Sequence, residues 1–213
     1  MQAAPEDHLC RSCLIASGYS SQPTEVSLRT LVVVQFVTSS MIFLETERLV
    51  FRSHEEKDEA DFVRMQMDSE VRRYMGGRGW PLEKAHHRFR NEYLGRPTET
   101  YGFWAAVLKE EEKYIECCGL RSDRDGAHLG YTLAKPYWRR GFASEACRGL
   151  IDIGFGRLSL PRILADVEEG NAASEHILMK FGFRYVSREK IPSSGRVILL
   201  CELLRVEWGP RPI

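Results

Sequence analysis

One stretch constrains the fold of this chain more than any other: Trp138-Arg139-Arg140-Gly141-Phe142-Ala143-Ser144-Glu145-Ala146. It follows a strand-like run, His128-Leu129-Gly130-Tyr131-Thr132-Leu133. It also opens a helix, because Ala143, Ala146, Cys147, Leu150, Ile151 and Gly154 recur at helical spacing. A short basic turn with a glycine, feeding a helix N-terminus, suits an anion. The first helical amides lack backbone partners, and the helix dipole adds partial positive charge at that end. Gly141 has no Cβ and lets a phosphate approach the backbone. Arg139 and Arg140 add full charges that pair with phosphate oxygens. Basic residues before a helix are usually just solvated, so the turn needs a second signal.

That signal lies downstream. Asn171-Ala172-Ala173-Ser174 leads into Ile177-Leu178-Met179-Lys180-Phe181-Gly182-Phe183. Asn171 is a good helix N-cap, and Gly182 a good residue to end the helix, with Phe183 making the hydrophobic contact beyond it. Ile163-Leu164-Ala165-Asp166-Val167 between the two helices reads as a strand. The order is strand, phosphate turn, helix, strand, capped helix, strand.

At this point the chain resembles the GCN5-related N-acetyltransferase (GNAT) superfamily, and within it the RimJ/RimL-like branch that acetylates N-termini of ribosomal proteins. The resemblance covers Leu44 to Arg205. Leu44–Arg52 looks like the first strand, Asp68–Gly76 like the segment lining the acceptor cleft, and Gly102–Val107 and Gly119-Leu120 like the next strands. Gly130-Tyr131 and Tyr137–Ala143 look like the acetyl-CoA core, and Asn171–Phe183 like the second cofactor helix. Trp138 opens the phosphate turn where the superfamily often has Gln or Arg. Glu116 stands where the branch usually has Gly, and Ser69 replaces a frequent Pro.

The fold implied is of the α/β (α+β) class. Its central sheet is mixed but mostly antiparallel, of about seven strands, with helices on both faces. The fourth and fifth strands splay apart to hold acetyl-CoA. The resemblance assigns cofactor binding to Tyr131, Thr132, Leu133, Trp138, Arg139, Arg140, Gly141, Phe142, Ala143, Ser144, Asn171 and Lys180. It implies an oxyanion donor in the Tyr131-Thr132-Leu133 backbone, with Leu133 N–H first, and Ser174 as proton donor to the leaving thiolate. Ser174 is equally explained as decoration of a first helical turn, and Asn171 by capping alone. Glu168 and Glu169 are candidate proton acceptors, though solvated loop acids explain both, and Tyr131 and Tyr185 rank lower as acids because strand tyrosines are mostly packing residues.

The 213 residues suffice for one domain with a real core, and 43% are hydrophobic. Basic and acidic residues balance at 30 each, so no general pull toward nucleic acid or anionic membrane is expected. No apolar run reaches membrane-spanning length. No metal site is expected: Cys10 and Cys13 form a C-x-x-C with no second half. The six cysteines read as free thiols of a cytoplasmic protein. Residues 1–40 do not match the family, and Met41 precedes a sequence typical of the branch. Met41 is therefore expected to be the natural start of a 41–213 acetyltransferase domain, the alternatives for residues 1–40 being a real extension that packs its apolar run as an extra strand, or a targeting peptide.

Helices are expected at Lys57–Met67 and Ser69–Met75, then a connector or mobile lid at Gly76–Gly79, then a helical stripe of Leu82, Ala85, His86, Phe89 and Tyr93. Strands at 102–108 and 112–121 pair as a hairpin through Lys109-Glu110-Glu111. The apolar strand Val197–Leu204 is either core or the edge of a homodimer.

The reaction implied is acyl transfer from a thioester to an amine. An α-amine is neutral to the order of a tenth at pH 7, a lysine amine to about 0.04%. A lysine acceptor needs roughly 3 kcal/mol more help. Without an unambiguous base, an N-terminal α-amine is favoured over a free amino acid, polyamine or antibiotic. Two other classes compete: a non-catalytic acyl-CoA-binding regulator, and an RNA-binding domain using Arg72, Arg73, Arg139 and Arg140, which the neutral charge opposes.

Overall fold

A computed structural model describes residues 42–96 and 100–209. Residues 1–40, Met41 and Cys10-x-x-Cys13 lie outside the described residues. An eight-stranded sheet runs in the order β1-β2-β3-β4-β5-β6-β8-β7. Its strands are β1 (Ile42–Glu45), β2 (Leu49–Arg52), β3 (Gly102–Leu108), β4 (Lys113–Asp123), β5 (Gly126–Leu133), β6 (Arg162–Glu168), β7 (Arg184–Lys190) and β8 (Val197–Leu204). All neighbours are antiparallel except β5 and β6. The helices are α1 (Glu59–Met67), α2 (Leu82–Arg88), α3 (Phe142–Phe155) and α4 (Ala172–Phe181).

The helices cover both faces. α1 and α2 bury Phe62, Val63, Met65 and Ala85 against Ala105, Val107, Tyr114 and Cys117. α3 and α4 bury Ala146, Leu150, Ile151, Leu178 and Phe181 against the other face, with Cys118, Leu129, Ile163 and Cys201. Cys117 and Cys118 thus enter opposite cores, as strand alternation requires. Cys117, Cys118, Cys147 and Cys201 are buried and take part in no disulfide.

Three expectations are corrected. The segment expected as one first strand is a hairpin, β1 and β2: the Thr46 hydroxyl accepts from Leu49 N–H at 3.1 Å and Thr46 N–H donates to the Leu49 carbonyl at 2.9 Å, closing a turn. Ser69–Met75 is a series of turns rather than a helix. The Asp68 carboxylate accepts from the Glu70 amide at 2.8 Å, a local bond that competes with helix. The stripe from Leu82 breaks at Phe89, where the backbone widens to a π-helical turn through Tyr93. For Val197–Leu204 the core alternative holds: β8 lies between β6 and β7, with Cys201 and Leu203 fully buried.

Candidate active site

The site grows from the one parallel pairing. β5 and β6 share only the register Ala127↔Ile163 and His128↔Leu164, then part. β5 continues to Leu133 and β6 to Glu168, so a gap opens in mid-sheet beside Tyr131, Thr132 and Leu133. Leu133 lies opposite Glu116 on β4, while the next residue, Ala134, donates its amide to the Ile115 carbonyl at 2.9 Å. In an antiparallel ladder, successive residues turn their backbone groups to alternate sides. Leu133 and Tyr131 therefore direct theirs away from β4, toward the gap. The Leu133 carbonyl accepts from Trp138 Nε1 at 2.8 Å, which ties the phosphate turn to the strand end.

The turn has the geometry its sequence asks for. Gly141 caps α3 at φ 84°, and Arg139 has φ 59°, both left-handed. This conformation suits glycine and is unusual for arginine. Arg139 and Arg140 are exposed, Ala143 and Ser144 lie in the first turn of α3, and the half-exposed Trp138 flanks them. Phe142 is only 2% exposed, so its side chain belongs to the core and it can offer a ligand only backbone.

Sequence reasoning missed Arg48, which belongs to the turn between β1 and β2. Its Nε binds Glu145 Oε2 at 2.6 Å and its Nη1 donates to the Arg140 carbonyl at 3.0 Å. A Cβ built on Gly141 would meet its Nη2 at 3.3 Å. Thr46 Oγ1 and the Arg48 amide both donate to Glu145 Oε1, at 2.6 and 2.8 Å. Partial burial pushes the Glu145 carboxyl up, but Thr46 and Arg48 outweigh it and hold it below the usual range. Glu145 thus staples the edge hairpin to the phosphate helix and holds a third cation beside Gly141. No periodicity signals a pair 97 positions apart.

α4 closes the other side. Asn171 Oδ1 accepts from Ser174 N at 3.3 Å, the capping role expected of it. Gly182 ends the helix at φ 90°, with Phe183 N donating to the Leu178 carbonyl at 3.0 Å. Lys180 Nζ reaches Ser144 Oγ at 3.2 Å and joins α4 to the first turn of α3.

Across the sheet, the 68–76 segment spans the gap. Met75 Sδ lies 3.5 Å from Thr132 Oγ1, and the Tyr74 hydroxyl donates to the Gly170 carbonyl at 3.0 Å. Arg196, also unforeseen, donates to the Tyr74 carbonyl at 2.8 Å and binds Glu168 through Nε at 2.9 Å. Arg188 grips both oxygens of Glu169 at 2.8 Å. Glu168 is thus a largely buried, ion-paired acid at the end of β6 rather than a solvated loop acid, whereas Glu169 is exposed in the turn beyond it, as expected, and pairs with Arg188. Tyr185 is half exposed and donates to Glu175 at 2.9 Å, so it is not a packing residue. His86 pairs with Glu59 at 2.7 Å. The Gly76–Gly79 stretch is a pinned connector: Arg72 Nε donates to the Arg78 carbonyl, and Trp80 N to the Gln66 carbonyl. Among the described residues no group of His, Cys, Asp or Glu side chains could hold a metal, and no helix is long and apolar enough to cross a membrane.

The residues thus build a mid-sheet gap with a cationic, left-handed turn at a helix start beside it. The model of the acetyltransferase (GNAT) domain matches residues 48–184. The chain belongs to this family and is an acetyltransferase. It is 32% identical over 176 residues to an uncharacterised N-acetyltransferase, p20, of Bacillus licheniformis, covering 78% of this chain and 98% of that protein. Its fold matches a GNAT-family acetyltransferase of Bacillus anthracis with a TM-score of 0.69 at 22% identity, over 78% of this chain and all of the other. It also matches Mycobacterium smegmatis RimJ, solved with CoA-disulfide, with a TM-score of 0.57 at 18% identity, over 75% and 83% of the two chains.

Proposed function

We propose that the protein moves the acetyl group of acetyl-CoA to a primary amine, a peptide or protein N-terminal α-amine, by direct attack within a ternary complex, as a RimJ/RimL-like enzyme of the cytoplasm. The observation that carries the acceptor choice is the state of the acids at the gap. Glu168 is held by Arg196, Glu169 by Arg188 and Glu70 by Lys135. A cleft whose carboxylates are committed to cations suits an amine that is already partly neutral at pH 7, which an α-amine is and a lysine side chain is not.

The residues present fit acetyl-CoA. Gly141 leaves room for a phosphate, Arg139, Arg140 and Arg48 supply charge, and the open edge of β5 offers backbone groups for an amide-bearing arm. When bound, acetyl-CoA supplies the thioester carbon that the amine attacks. The Leu133 N–H stabilises the developing oxyanion, Ser174 supplies a proton on the sulfur side, and Asn171 positions Ser174 through the cap.

The test is titration with acetyl-CoA by calorimetry, then a thiol-release assay across N-terminal peptides and small amines. Binding with release on peptides is expected. Release on small amines alone reverses the acceptor assignment. Binding without release on any amine favours a regulator, and no binding removes the cofactor site.

A further inference from the structure

The 68–76 segment is fastened to both banks of the gap. On the β5 side, Met75 Sδ lies 3.5 Å from Thr132 Oγ1, and Glu70 pairs with Lys135 just past the strand end. On the β6 side, the Tyr74 hydroxyl donates to the Gly170 carbonyl at 3.0 Å, and Arg196 Nη2 donates to the Tyr74 carbonyl at 2.8 Å. Tyr131, Leu133 and Val167 pack in the core under α3 and α4. Alternation turns Thr132 and Glu168 to the opposite face. The segment is therefore a strap that crosses the gap on the face away from the phosphate helix.

One guanidinium carries much of this fastening. Arg196 is fixed just before β8, where its carbonyl accepts from the Ile191 amide at 2.8 Å. The next carbonyl, that of Val197, accepts from the Glu169 amide at 2.9 Å. From this fixed point Arg196 Nε donates to Glu168 Oε2 at 2.9 Å, and Nη2 serves the same oxygen together with the Tyr74 carbonyl. The end of β6, the start of β8 and the strap thus meet on one side chain. Arg196 and Glu168 keep 20% and 16% of their side-chain exposure, against 60% and 47% for Arg188 and Glu169. Water and salt screen the first pair less than the second. Only a planar fork serves a carboxylate and a carbonyl at once in fixed directions.

We propose that Arg196 and Glu168 form a clasp that sets the width of the acceptor entrance, which makes both of them positioning residues for acceptor selection. The inference rests on the acetyltransferase reading of the gap and deepens it. The phosphate turn and α4 occupy one face, so the amine arrives from the strap face. There Met75 closes the space over Thr132, while Arg196 holds Tyr74 over the end of β6. A chain end passes between these two anchors. The residue that bears the amine has to be slim at that point, so the clasp admits an α-amine beside a small side chain and resists one beside a large aromatic. Arg196 takes no part in the transfer itself; it acts through Tyr74 and Met75.

The test uses two lysine-free peptides, identical except for an N-terminal Ala or Trp, with acetyl-CoA as donor. Wild type should prefer the Ala peptide by about tenfold or more in kcat/KM. Arg196→Ala should raise KM for the Ala peptide about tenfold and shrink the preference to about threefold or less, with acetyl-CoA affinity within about twofold of wild type. Arg196→Lys keeps the charge without the fork and should fall between the two. Tyr74→Phe removes a single hydroxyl from the strap and should shift the preference the same way, by less, whether or not Arg196→Ala folds. General loosening of the fold would lower kcat on both peptides alike and leave their ratio unmoved. Independently of turnover, amides of residues 68–77 in the ligand-free protein should exchange faster in Arg196→Ala, with those of α1 and α3 unchanged. A preference unchanged in the variants, or a wild type indifferent to the first side chain, overturns the selection and leaves the acetyltransferase reading standing. A wild type that binds no acetyl-CoA, or releases thiol on neither peptide, overturns the acceptor reading and the selection with it, while the exchange still decides whether Arg196 holds the strap.

Discussion

The two faces of the sheet hold their polar groups in different ways. On the α3/α4 face, positions follow from backbone: a left-handed turn, two helix starts, a capped helix end and the unpaired rim of a strand. On the α1/α2 face they follow from side-chain pairs, some six residues apart and some far more. Arg52 and Asp58 form a bidentate pair at 2.6 and 2.8 Å, both nearly fully buried. Arg72 binds Gln66 at 2.7 Å and stacks on Trp80, and Arg196 joins Glu168 to Tyr74. The contrast extends to two of the buried titratable groups without a hydrogen-bond partner among the described residues. Glu116 lies under α3, whereas His54 lies on the other side, ringed by Phe62, Phe89, Tyr93 and Tyr114 with centroids 5.3–6.2 Å away.

This last pair offers the largest test, because the two groups bend stability in opposite directions with pH. The Glu116 carboxyl is raised from 4.5 to about 8 by burial and Glu145. Its contribution is complete below pH 4.5 and is lost as pH rises through 8, up to about 5 kcal/mol. Burial lowers His54 from 6.5 to about 4, with Arg52 adding to the fall and Asp58 opposing it. Its contribution is complete above pH 6.5 and is lost as pH falls through 4, about 3 kcal/mol. Denaturant melts across pH should show the alkaline slope vanish in Glu116→Gln. A slope unchanged in that variant would mean the carboxyl is hydrated and ionised.

Next in size is the buried pair. Asp58→Ala strands the Arg52 charge and should cost about 3–5 kcal/mol in urea unfolding. Acetyl-CoA affinity, set on the opposite face, should barely change, and a matching loss of affinity would erase the division between faces. Gly141→Val should do the reverse. It places a β-branched side chain at φ 84° against Arg48, and should weaken acetyl-CoA roughly 10- to 100-fold by calorimetry. Ser174→Ala should lower turnover while leaving affinity near wild type; if turnover holds, Ser174 is only part of a helix start. The smallest effect belongs to Asn171→Ala, about 1 kcal/mol of thermal stability from the lost cap, which Asn171→Asp should largely restore.

Legibility in sequence divides by range along the chain rather than by face. Gly141, Asn171 and Gly182 were readable because a cap or a left-handed turn needs a particular residue type within a few positions. The β3–β4 hairpin and β8 were readable for the same local reason. Arg48, Arg196 and Tyr74 were not, because a surface arginine bound 97 or 122 positions away has the sequence of any solvated arginine. Thr46 shows the limit at short range. Its hydroxyl stands in for a backbone group, so a run that looks like one strand breaks into two. Glu116 stood out as a departure from the pattern the sequence resembles, but that departure said nothing of burial, which depends on β3, β5 and α3 together.

The parting of β5 and β6 has one more consequence. A sheet usually leaves its rungs unfilled only along its two outermost strands, but here a second pair of rims runs through the middle, and two rungs alone stitch one half-sheet to the other. Whatever lies in that slot completes the weave. The amides of Tyr131 and Leu133 should exchange with solvent quickly in the empty protein and slowly once coenzyme A is bound, and the melting temperature should climb with coenzyme concentration. The substrate is then also a seam, and the enzyme is at its most cohesive while it is working.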